Sequence, residues 1–154
     1  MDKRWRGIGV LAAALFAVNV VARLIIHFGF EGDDTAADRV SLGMFVVIGL
    51  ILAGVAVVWG RRRPLGAWEA DTAAAVAIAL LLTVLLGPLL VGDSPFAGGA
   101  GTFFAQIWLY LGATGVGTLI GYLVLTALGR DHRSQTLKRY AEAKAAKPRK
   151  VVRR

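Results

Sequence analysis

Four long apolar runs, residues 7–26, 42–59, 72–91 and 102–128, constrain this chain more than any other feature in it. The last three hold no charged residue, and the first has only Asn19 and Arg23 as strongly polar side chains. A helix crosses the ~30 Å hydrocarbon core of a bilayer with about 20 apolar residues, within a range of ~17–25. Each run meets that length. In a chain of 154 residues, four such runs would leave a water-soluble fold almost no polar surface. The fold expected is all-α and integral to the membrane. It is a four-helix transmembrane bundle over residues 1–129, with spans at about 5–28, 42–60, 71–91 and 102–128, followed by a basic tail at 130–154.

A hydrophobic fraction of 56% sits beside a formal charge of +8, and segregation reconciles the two. Lys3, Arg4 and Arg6 precede the first run, Arg61, Arg62 and Arg63 separate the second from the third, and ten further bases follow the fourth. The two remaining connections carry Glu31, Asp33, Asp34, Asp38 and Asp93 against a single Arg39. Lysine and arginine resist translocation, so the pattern predicts both termini in the cytoplasm and a multi-pass protein of the plasma membrane. Trp5, Trp59 and Trp68 fall at the inner boundary and Trp108 near the outer one, where an aromatic belt belongs. "MDKRWR" followed by an apolar stretch ending "VVA" also has the form of a cleavable signal. The run continues past Ala22 to Ile26, which is spanning length, so the first run is read as a retained span.

The outer loop "EGDDTAADR" leaves Asp38 or Ser41 to cap the second span, whose Gly43, Gly49 and Gly54 permit close packing. Glu69 and Asp71 favour the N-terminus of the third span and can pair with the arginines of "RRRP". Gly87-Pro88 is a kink or stop, and "GDSPFAGGAGT" lacks the lysine and spacing of a phosphate loop. In the tail, Asp131 or Ser134 can cap a short helix over "QTLKRYAEAKAAK", ended by Pro148, with "RKVVRR" disordered beyond it. Arg61, Arg62, Arg63, Lys138, Arg139 and Lys144 are expected to contact anionic lipid of the inner leaflet, each contributing ~1 kcal/mol. A topological anchor is the commoner role of such a tail, which argues against nucleic acid as its partner.

Read in fours, the last span places Gln106, Tyr110, Thr114, Thr118 and Tyr122 along one ridge, and Ala113, Gly117 and Gly121 along the next. Small residues let helix backbones approach in lipid, and hydroxyls or amides can hydrogen-bond across the contact. The first span carries Asn19, Arg23 and His27 at the same spacing. Matching depths across antiparallel spans leads to the expectation that spans one and four pack through these ridges. Asn19 would then meet Tyr110 or Thr114, and Arg23 would meet Gln106, Tyr110 or a loop acid such as Asp93. Arg23 either snorkels or pairs structurally, or it marks a ligand, ion or partner site.

With no cysteine, thiolate metal sites, disulfide catalysis and lipid-anchored cysteine are excluded, and His27 and His132 alone cannot build a metal centre. No span interior carries the carboxylate that a proton-coupled exporter uses, and Ser41, Ser94 and Ser134 lie at span ends or in loops. Neither a catalytic residue nor a cofactor site is expected. The leading reading is a non-catalytic subunit or assembly partner for another membrane protein, or for copies of itself. The second is a small oligomeric channel or carrier for an anion or polar solute along the face between spans one and four.

Overall fold

The computed structural model describes residues 3–30, 32–92, 94–96 and 98–146, with the side chains of Lys3 and Ala146 excepted. The described residues are 87% helical, and there is no strand among them. Five helices follow in order: α1 (Lys3–Gly29), α2 (Asp34–Gly60), α3 (Leu65–Leu89), α4 (Gly99–Ala127) and α5 (His132–Ala146). The first four are each long and apolar enough to cross a membrane. In hydrocarbon a backbone finds its hydrogen bonds only within itself, so apolar runs of this length become helices.

Helix ends depart from the expected ones in instructive ways. Asp33, not Asp38 or Ser41, caps α2, its carboxylate accepting from the Ala36 N–H at 3.0 Å. "DTAAD" therefore joins the helix, and α2 starts well before its apolar stretch. Pro64, extended at φ −63° and ψ 151°, releases α3 at Leu65, so Glu69 and Asp71 lie beyond its first turn rather than at its N-terminus. Pro88 is accommodated inside the last turn of α3 instead of stopping it. α4 closes in a Schellman arrangement: Gly129 N–H donates to Thr126 and Arg130 N–H to Leu125, with Gly129 at φ +60°. Asp131 then opens α5 by accepting from the Ser134 N–H at 3.1 Å. Pro148 and residues 149–154 lie outside the described residues.

The four long helices pack mainly as α2 on α4 and α1 on α3, with α1 against α2 joining the two pairs. α2 and α4 run parallel. Gly49 sits on Ala113 and Gly117, Ala53 on Gly121, and Gly60 under Leu125. A methyl group at Gly117 would lie 2.6 Å from the Gly49 Cα, and one at Gly121 2.6 Å from the Ala53 Cα, so these backbones touch directly. α1 and α3 also run parallel, from Arg4 beside Asp71 to Arg23 beside Gly87. Gly43 and Gly54, by contrast, face open space.

The expected packing of span one on span four is not what forms. The small-residue row of α4 found a complementary row, Gly49 and Ala53, on α2, and backbone-to-backbone contact there outweighs any match of polar ridges. The interior shared by the helices holds Ile8, Leu11, Ala12 and Leu15 from α1, Ile48 and Leu52 from α2, Ala75 and Ala79 from α3, and Tyr110 from α4. Larger apolar side chains turn outward, among them Val10, Phe28, Leu50, Trp108 and Leu123. Asn19, Asp71, Thr72, Thr83 and Thr114 are buried. An exterior this apolar suits lipid, since a soluble monomer rarely exposes large apolar patches.

Candidate functional site

Two polar nodes and one open seam result. At the first node, Arg23 and Asn19 stand one turn apart on α1, and the Arg23 Nε donates to the Asn19 Oδ1 at 3.0 Å. The Asn19 Nδ2 in turn reaches the Met44 Sδ on α2 at 3.1 Å. Asn19 is only 1% exposed and Arg23 is half-buried. Opposite them α3 presents Gly87, where an added methyl group would come within 2.9 Å of the Arg23 Nε and 3.2 Å of the Asn19 Oδ1. The absent side chain at Gly87 is the space that the guanidinium occupies. Pro88, next in sequence, has no N–H to give the Val84 carbonyl.

Arg23 therefore packs against α3 and not against Gln106 or Tyr110 of α4, and Asn19 turns to Met44 rather than to Tyr110 or Thr114. Asp93 lies outside the described residues. His27 faces outward, its ring edge-on to Phe28 at 4.9 Å, and does not join the node.

The α4 ridge divides. Gln106 is half-buried, and Tyr110 is fully buried in the interior. The Tyr110 hydroxyl and that of Thr83 on α3 have no hydrogen-bond partner among the described residues. The threonines bond along their own helix instead of across it: Thr114 to the Leu111 carbonyl at 3.0 Å, and Thr118 to that of Thr114 at 2.7 Å. Such back-bonding satisfies a hydroxyl without a neighbouring helix, which is why the ridge did not dictate a partner.

The second node lies at the opposite end. Asp71, 2% exposed, takes the Arg4 Nε on one carboxylate oxygen at 2.6 Å and the Arg63 Nη1 on the other at 2.9 Å. Arg63 also lies over the Trp59 ring, 5.5 Å from its centroid. One carboxylate thus ties the start of α1 and the α2–α3 turn to α3. The pairing of Asp71 with the "RRRP" arginines was legible in sequence, but Arg4 was not. Its only sequence signal is that it precedes a span parallel to α3. Trp68, placed at the lipid boundary by the sequence reading, is instead buried, with its indole nitrogen side toward Gly60 and its ring 6.2 Å from Tyr122.

Between α3 and α4 contact is slight, and the seam is a groove of about 500 Å³. Thr114, Thr118 and Tyr122 line one wall with Gly115, and Glu69, Thr72 and Val76 are on the other. At its charged end it meets a smaller hollow of about 290 Å³ lined by Arg63, Asp131, His132 and Arg133, with Leu65, Trp68 and Tyr122 common to both. The Ser134 hydroxyl and N–H hold the Asp131 carboxyl below the usual carboxylate range. A third crevice of about 430 Å³, almost wholly apolar, follows the outer side of the α2–α4 contact past Gly49, Ala53, Gly112, Ala113, Val116 and Gly117. Arg61, Arg62, Lys138, Arg139 and Lys144 are exposed. Comparison with protein-family models, curated proteins and solved structures finds no match to this chain.

Proposed function

We propose that this protein is a non-catalytic subunit of a larger membrane complex, built as a four-helix transmembrane bundle of the plasma membrane with both termini in the cytoplasm. Supporting that orientation, Arg4, Arg6, Arg61, Arg62, Arg63, Arg130 and Arg133 gather at one end of the parallel helix pairs, as the positive-inside rule asks of a cytoplasmic face. The basic α5 then lies against the anionic inner leaflet through Lys138, Arg139 and Lys144.

The observation carrying the subunit reading is the apolar crevice beside the α2–α4 contact. The backbones of those helices touch, and Gly49, Ala53, Gly112, Ala113 and Gly117 line the crevice among Leu42, Phe45, Val46, Leu50, Val116 and Ile120. An incoming helix could thus approach closely at the small positions and pack against the large ones. A transmembrane helix of another protein is the proposed occupant. Gly112 lines the crevice with open space around it, so Gly112→Phe fills the crevice without disturbing the fold. Extraction into native lipid discs followed by mass spectrometry should find a stoichiometric membrane partner with the wild type and lose it with Gly112→Phe. An unchanged partner set in the variant refutes the site.

A second reading, a small oligomeric carrier for an anion, is favoured by the Arg23–Asn19 node and by the unpartnered Tyr110 and Thr83 hydroxyls. It predicts self-association in place of a partner, and a solute flux that falls in Arg23→Gln while assembly is unchanged.

A further inference from the structure

We infer that the seam between α3 and α4 is a seat for one anionic phospholipid, with an acyl chain in the groove and the phosphate in the hollow at its charged end. The inference rests on membrane insertion but not on a partner at the α2–α4 crevice.

The dimensions suit such a ligand. The groove walls run from Leu65 to Val76 on α3 and from Tyr122 back to Leu111 on α4. At ~1.5 Å per residue this is ~16 Å, about half of the ~30 Å hydrocarbon core, and so the depth of a single leaflet. Apart from Glu69 at its charged end, the lining is mainly apolar, and the Thr72, Thr114 and Thr118 hydroxyls are already spent on carbonyls of their own helices. An acyl chain therefore leaves none of those donors stranded. The groove begins at the end where the arginines gather, which is where a lipid of that leaflet has its headgroup.

The charge at the mouth is complementary to phosphate. Arg63 and Arg133 line the hollow with His132 and Asp131, and Arg61 and Arg62 are on the adjoining turn. Arg63 gives only one nitrogen to Asp71 and is still 42% exposed, so the remaining donors of its planar fork are available to a phosphate. Three acids lie nearby. Asp71 is held by Arg4 and Arg63, Asp131 stays ionised and accepts from Ser134 at the hollow's edge, and Glu69 is exposed at the groove edge, so Arg133 and the adjoining Arg61 and Arg62 supply the surplus positive charge. Trp68 and Tyr122 divide the hollow from the groove at the level where amphipathic rings meet headgroups.

Native mass spectrometry of the full chain, equilibrated with equal amounts of phosphatidylglycerol and phosphatidylcholine, tests this. One phosphatidylglycerol should be retained in preference to phosphatidylcholine. Gly115 lines the groove with open space around it, so Gly115→Phe should plug the groove and abolish retention, while Gly54→Phe, outside both grooves, should leave it intact. Arg133→Gln should weaken retention about five-fold, the loss of one basic contact with an anionic headgroup. Equal retention of the two lipids, or full retention by Gly115→Phe, overturns the inference. A photo-reactive side chain at Leu119, used in native membranes, distinguishes the occupants. A lipid adduct supports the seat, and a protein adduct places a helix in the groove and refutes it.

Discussion

The Asp71 clamp predicts an asymmetry that ordinary ion-pair counting does not. Its carboxylate is 3% exposed, whereas the side chains of Arg4 and Arg63 are 62% and 42% exposed. Asp71→Asn frees two arginines that can turn to water, and the loss should resemble that of surface pairs, about 1 kcal/mol. Arg4→Gln with Arg63→Gln leaves the carboxylate where it is, buried and unpaired. Removing the partners of a buried charge costs ~3–5 kcal/mol, and the two glutamine amides recover part of it, so ~3 kcal/mol is expected. Adding Asp71→Asn to that double variant should restore about 2 kcal/mol, making the triple variant more stable than the double. Reversible unfolding by SDS in mixed micelles measures this, with fluorescence from Trp59 and Trp68 reporting on the same end of the molecule. If Asp71→Asn costs as much as the double arginine variant, or the third substitution gives no recovery, the burial argument fails.

Other residues carry further expectations. Gly121→Leu should cost ~3 kcal/mol in the same assay, since its Cβ meets the Ala53 backbone, which cannot swing aside, and Gly112→Leu should cost almost nothing. Gly87→Leu displaces the Arg23 guanidinium and should cost ~1–3 kcal/mol, less when combined with Arg23→Ala, which makes room for it. The Asp131 carboxyl is held below its ordinary range in the folded chain. Its cap on α5 is therefore in place above the usual carboxylate pKa and is lost as pH falls through the lowered folded value. Circular dichroism should show α5 fraying only on acidification, and Asp131→Ala fraying at neutral pH.

What could be read from residue order was the existence of four long apolar helices, because spanning length and absence of charge are properties of a single segment. Which helix meets which was not legible in the same way. Gln106, Tyr110, Thr114, Thr118 and Tyr122 form a ridge in any packing, and threonines that bond their own carbonyls give no sign of a partner. The small row Ala113, Gly117 and Gly121 was recognisable as a packing face, but its partner depended on Gly49 and Ala53 lying at matching heights in a parallel pair. Asn19 and Arg23 stood out as unusual in the first span, yet their counterpart was a glycine, which in sequence looks like nothing more than a kink beside Pro88. The hollow at the charged end draws on Arg63, Trp68, Tyr122 and Arg133 from three separate segments, and no local pattern joins them.

The threading on which both proposals rest is open to one direct measurement. The chain has no cysteine, so single variants report without background. Ser94→Cys, in the connection between α3 and α4, and Ser134→Cys, in the first turn of α5, would be exposed in turn to a membrane-impermeant thiol reagent on intact cells and after lysis. With both termini in the cytoplasm, Ser94→Cys should label from outside and Ser134→Cys only once the membrane is broken. Labelling of Ser134→Cys on intact cells, or of neither before lysis, would contradict this threading.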